Sequence, residues 1–119
     1  MKKHIQVDIK VLHPMIQGDS KLLETVIHNF LSNALKHTPE QGHIYIKIDQ
    51  GFSIINEGSH IDEEHLSDIW YTFVTHDHQG SGLGLAICQA ILQLHHYDYG
   101  VKNVESGVEF YFSDSKYDC

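Results

Sequence analysis

The sequence predicts an α+β fold: a two-layer sandwich in which helices cover one face of a mixed, mostly antiparallel sheet. Three observations predict it. Apolar and polar residues alternate in several short segments, helical periodicities lie between them, and tight turns join neighbouring strand-like segments as hairpins. At 119 residues the chain is the size of one domain, and it reads as a single unit over 1–119 with no repeat or internal linker.

The elements follow in order. Ile5 to Leu12 alternates through Ile5, Val7, Ile9 and Val11, which predicts a half-buried strand. Pro14 to Asp19 is a connector, and Asp19 or Ser20 caps the helix that follows. That helix extends to about His37, before Pro39, because Leu23, Val26, Ile27, Phe30, Leu31 and Ala34 recur at helical spacing. Ile44, Ile46 and Ile48 mark a strand from His43 to Asp49. Gln50-Gly51 then turns the chain into Phe52 to Asn56. After a loop, Asp62 or its neighbours start a short helix through Tyr71. Thr75 to Gly82 is polar and glycine-bearing, and a second long helix is expected from about Leu83 to His95. Strands near Tyr99 to Val104 and Val108 to Ser113 close the chain around Glu105-Ser106-Gly107.

Composition narrows the function classes. Hydrophobic content of 41% and charged content of 20% suit a folded globular chain. The net charge of −8, from 8 basic and 16 acidic side chains, argues against nucleic acid or an anionic membrane as partner. An anionic small ligand stays open, because a helix N-terminus holds phosphate without net positive charge. Cys88 and Cys119 form no disulfide framework, no run approaches a membrane span, and no leader is evident. A cytoplasmic location is expected, as a free protein or as the cytoplasmic part of a membrane-bound sensor. The 11 histidines are scattered and lack the Cys/His spacing of a metal site.

Three constellations could carry chemistry. Asn29 and Asn33 are four apart at the edge of the first helix's apolar side, with Lys36 close by. Asparagine disfavours helix interiors, and a carboxamide oxygen at a pocket wall suits magnesium or its waters. The alternative is a pair that caps loops or faces solvent. Gly80-Ser81-Gly82-Leu83-Gly84-Leu85 precedes an apolar helix, where glycines let backbone N–H groups approach an anion. The alternative is a plain loop-to-helix junction. Asn56-Glu57-Gly58 follows a strand and could read an adenine edge, or be an ordinary turn.

Together and in this order the segments resemble the catalytic ATPase domain of sensor histidine kinases, within the superfamily of gyrase, the ninety-kilodalton heat-shock chaperone and MutL. Val26 to Pro39 resembles the asparagine box, Gly80 to Ile87 (GSGLGLAI) the second glycine box, and Ile69 to Phe73 the phenylalanine box. The resemblance spans about Gly18 to Phe112 and implies a Bergerat-type fold. It implies ATP and Mg2+ as cofactors, Asn33 as magnesium ligand, and Asn29 as a phosphate-side residue supporting the metal, both catalytic. It further implies that Lys36 and His37 contact phosphate or the sugar side, and that Asn56, Gly58 and Ile61 line the ATP pocket. Gly80, Ser81, Gly82, Leu83, Gly84 and Leu85 would cradle the phosphates and hinge a lid.

Two departures stand out. Asn56 replaces the family's aspartate in the first glycine box, and His60 stands where its second glycine belongs. The asparagine-glutamate-glycine form resembles a subgroup of vancomycin-resistance sensors. The lid between Phe73 and Gly80 is only VTHDHQ, with His76 and His78 but no lysine or arginine. The implied reaction moves the γ-phosphoryl group of ATP to a histidine on a dimerisation domain, which in turn serves a response regulator. No segment resembles that phosphoacceptor helix pair, so the domain is expected to be a monomer that binds ATP without phosphorylating itself. The rival readings are a nucleotide-binding module without catalysis, an anti-sigma-type serine kinase, and a structural or interaction domain with a dead pocket that binds no nucleotide.

Overall fold

A computed structural model describes residues 4–70 and 84–114. Its elements are β1 (Gln6–His13), α1 (Ser20–His37), β2 (His43–Asp49), β3 (Gly51–Glu57), α2 (Gly84–Leu94), β4 (Tyr97–Val104) and β5 (Gly107–Asp114). They form one five-stranded sheet in the order β1-β2-β3-β5-β4. Only β1 and β2 run parallel, and the other neighbours are antiparallel. The α+β sandwich expected from the sequence is the fold found.

The local reasons are visible in the caps and turns. Asp19 caps α1 by accepting a 3.0 Å hydrogen bond from the Leu22 N–H at its carboxylate. Thr38 ends the helix, with its N–H and its buried hydroxyl both donating to the Ala34 carbonyl. Gln50 adopts φ 58°, the left-handed turn that sends β2 back as β3.

The core lies between the helices and the central strands. Leu23, Val26, Phe30 and Ala34 are the buried stripe of α1. Phe30 meets Phe110 at 5.3 Å between ring centroids, Trp70 at 6.2 Å and Phe112 at 6.4 Å. Cys88 of α2 is sealed in the same core, and burial pushes its thiol up to about 12. It is a packing residue, not a nucleophile.

Two expectations are corrected. β1 is not half-buried: all eight of its residues are exposed. The sheet order sets it at the edge, while α1 packs on β3 farther in, so no helix among the described residues covers it. The short helix expected from Asp62 through Tyr71 is instead two one-turn 3₁₀ segments, Glu63–His65 and Asp68–Trp70. Asp62 makes no side-chain cap there, and four carboxylates crowd seven residues. Trp70 is drawn into the core, so packing rather than helix propensity sets the backbone. Tyr71 itself lies outside the described residues, as do Thr72 and Phe73.

Candidate nucleotide site

The site is built where α1 meets the start of α2 and the end of β3. On α1, Asn29 and Asn33 are half-buried at the rim of the apolar stripe. The Asn29 Nδ2 donates 2.8 Å to the Thr25 carbonyl, which fixes the carboxamide and leaves Oδ1 on the opposite side. That oxygen sits over Gly84: a Cβ added there would lie 2.6 Å from it. Asn29 of the asparagine pair and Gly84 of the glycine segment, separate signals in the sequence, therefore lie side by side. Asn33, one turn on, has no side-chain hydrogen bond among the described residues.

Gly84 is the first described residue of α2, so the described start of that helix lies beside Asn29. A Gly84→Ala variant should test this closeness. The new methyl group can fit only if the Asn29 carboxamide swings and loses its bond to Thr25. We expect stability to change by no more than about 1 kcal/mol, while nucleotide affinity, read by calorimetry, falls severalfold. Leu85 turns inward and packs against the core. Gly80, Ser81, Gly82 and Leu83 lie outside the described residues, as does the lid with His76 and His78.

The other wall comes from β3. Asn56 is 3% exposed, yet its carboxamide has no hydrogen-bond partner among the described residues. No fully sealed side-chain polar atom there lacks a partner, so this carboxamide faces an opening at the strand's end. Gly58 follows with φ 143°, and a Cβ on it would come 3.0 Å from the His37 carbonyl. Glycine thus lets the end of β3 close on the end of α1. Lys36 and His37 are exposed on that last helical turn, and both already interact within the folded chain.

The loop beyond Gly58 is held by a residue that no sequence pattern singled out. Asn103 on β4 accepts from the Ile61 N–H at 2.9 Å and donates to the Ile61 carbonyl at 2.8 Å. Ile61 is thereby placed at the rim of the core. An asparagine inside a strand is unfavourable in itself, and that was the available signal. His60 donates from its ring to the Val104 carbonyl at 2.6 Å.

The chain is similar in sequence and fold to known proteins. The family described as histidine kinase-, DNA gyrase B-, and HSP90-like ATPase matches residues 18–115. The probable sensor kinase SilS of Salmonella typhimurium is 39% identical over 105 residues, covering 79% of this chain and 20% of SilS. The sensor protein VanSB of Enterococcus faecalis is 32% identical over 108 residues, covering 82% of this chain and 24% of VanSB. The chain thus spans about a fifth to a quarter of the length of these relatives. Among solved structures, the nucleotide-free catalytic domain of histidine kinase ThkA superposes with a TM-score of 0.81 at 30% identity, covering 91% of this chain and 76% of that one. ThkA in complex with the response regulator protein TrrA gives 0.75 at 29% identity, over 91% and 33% of the two chains.

Proposed function

Since the chain belongs to the histidine kinase-, DNA gyrase B-, and HSP90-like ATPase family, we propose that it is the catalytic domain of a sensor histidine kinase, over residues 1–119. It binds ATP with magnesium and passes the γ-phosphoryl group to a histidine on a dimerisation domain, from which a response regulator receives it. The observation that carries this reading is the meeting of Asn29 with Gly84, with Asn33 one turn further along. No helix among the described residues is long and apolar enough to cross a membrane. The domain acts in the cytoplasm, on the inner side of a sensor.

The residues divide the work. Asn56 accepts from the adenine amino group through its carbonyl, with Gly58 and Ile61 beside the base. Lys36 and His37, at the end of α1, lie toward the sugar and phosphates. Gly84 and the N–H groups opening α2 hold phosphate oxygens, together with Gly80, Ser81, Gly82, Leu83 and Leu85 of the same motif. The Asn33 carboxamide, which has no hydrogen-bond partner among the described residues, and the fixed Oδ1 of Asn29 suit a hard cation, as neutral oxygen donors beside phosphate. A bound magnesium ion would neutralise charge on the phosphates. The protein's own contribution is positioning and dipoles, since phosphoryl transfer needs little covalent chemistry from side chains.

The test is a mixture of this chain, radiolabelled ATP, magnesium and the histidine-bearing dimerisation domain of its kinase. Acid-labile label on that domain is the expected result. Acid-stable label would point to a serine kinase instead, and binding without transfer would mark a non-catalytic module. The second reading has one observation of its own, the neutral Asn56 where the family carries aspartate. An Asn56→Asp variant should therefore bind ATP more tightly, by roughly threefold to tenfold, because a charge-assisted bond is about twice as strong. The unliganded variant should be less stable at neutral pH, where a carboxylate would sit almost wholly buried. Calorimetry and thermal unfolding read the two effects separately.

A further inference from the structure

Among the described residues β1 is an open sheet edge, and it has an unusual symmetry. Its register pairs Val7 with Ile44, Ile9 with Ile46 and Val11 with Ile48, so these residues share the helix-side face of the sheet. Beyond the reach of α1 they stay 42%, 63% and 51% exposed. Asp8 and Lys10 lie on the other face, in register with Tyr45 and Lys47. The Gln6 N–H donates to the Gly42 carbonyl, toward β2. Alternation then points the backbone groups of Asp8 and Lys10 to β2 as well, and leaves those of Val7, Ile9 and Val11 aimed at the open edge. Such an edge is a template for another strand.

The sequence of that edge complements itself. From Val7 to Val11 it reads apolar, acidic, apolar, basic, apolar. An antiparallel twofold through Ile9 sets Asp8 opposite Lys10 of the second copy and Lys10 opposite its Asp8. Val7 then faces Val11, and Ile9 faces itself. A slip of two residues either way would oppose Asp8 to Asp8 or Lys10 to Lys10, which is unfavourable. The charges are available for this role. Lys10 has no ion-pair partner among the described residues, and Asp8, already steadied by the His43 ring, remains exposed with acceptor capacity to spare.

We propose that β1 pairs with β1 of a second copy of this chain, antiparallel and centred on Ile9, joining two five-stranded sheets into one. The contact is small, so the chain is monomeric when dilute and dimeric when concentrated. None of the nucleotide-site residues lies on β1, and the proposal stands apart from the functional reading.

Sedimentation of the whole chain, with reductant present so that Cys119 cannot cross-link, tests it across roughly 10 μM to 1 mM. The mean mass should climb from the chain's 13.6 kDa toward twice that value. Lys10→Asp should weaken pairing roughly tenfold, and Ile9→Lys, which opposes two like charges at the axis, should abolish it. The double exchange Asp8→Lys with Lys10→Asp should restore pairing to within a few-fold of the wild type. All three changes sit on exposed positions, so circular dichroism and ATP affinity should be unchanged. A wild type that stays at the single-chain mass throughout overturns the proposal. So does a dimer indifferent to Ile9→Lys, or a double exchange no better than Lys10→Asp alone.

Discussion

Replacing Asn33 by alanine should lower the affinity for magnesium-ATP about tenfold to a hundredfold while leaving the fold intact. The range follows from the roughly 1.5–3 kcal/mol carried by a hydrogen bond or coordination contact to a charged group. Stability should hardly change, because the Asn33 carboxamide has no hydrogen bond to lose among the described residues and alanine favours the helix. The discriminating feature is the magnesium dependence. With the metal chelated, wild type and variant should bind ATP with similar weak affinity. An equal loss with and without magnesium would assign Asn33 to the nucleotide rather than to the ion.

Phe30→Ala should have the largest effect on stability, about 3–5 kcal/mol, the usual cost of emptying a buried aromatic site. Phe30 is fully buried and touches the rings of Trp70, Phe110 and Phe112, so one truncation strips contacts from α1, the 3₁₀ segment and β5 together. It is also the neighbour of Asn29 in the chain. The stripe that anchors α1 therefore also fixes the angle at which Asn29 faces α2. Urea titration should show a lower midpoint with an unchanged slope. Phe30→Leu, which keeps most of the volume, should recover most of the loss.

Much of this was legible in the sequence because local and tertiary preferences agree. On α1, the apolar spacing, the Asp19 cap and the Pro39 stop all point to one helix, and the helix ends at His37. The hairpin at Gln50-Gly51 was legible because its turn chemistry is local. β1 was misread for a physical reason. Alternation shows which residues share a face but not whether a helix covers it, and the covering helix is set by strand order. The Asp62 to Trp70 segment failed in the same way, since Trp70 answers to Phe30, Tyr99 and Phe110 rather than to its own helix.

The candidate site was legible as three separate motifs but not as one place. Spacing along α1 put Asn29 and Asn33 on one edge, yet only the packing of α1 against α2 brings Asn29 to Gly84. Asn103 left no motif at all. It lies over forty residues from Ile61, and its role exists only because β4 runs beside that loop.

The most direct test is a calorimetric titration of the chain with ATP, once in magnesium and once with the metal chelated. The account requires saturable binding of a single nucleotide, clearly tighter in magnesium. Absence of binding up to millimolar ATP, in either condition, would contradict it and leave the meeting of Asn29 with Gly84 without a ligand.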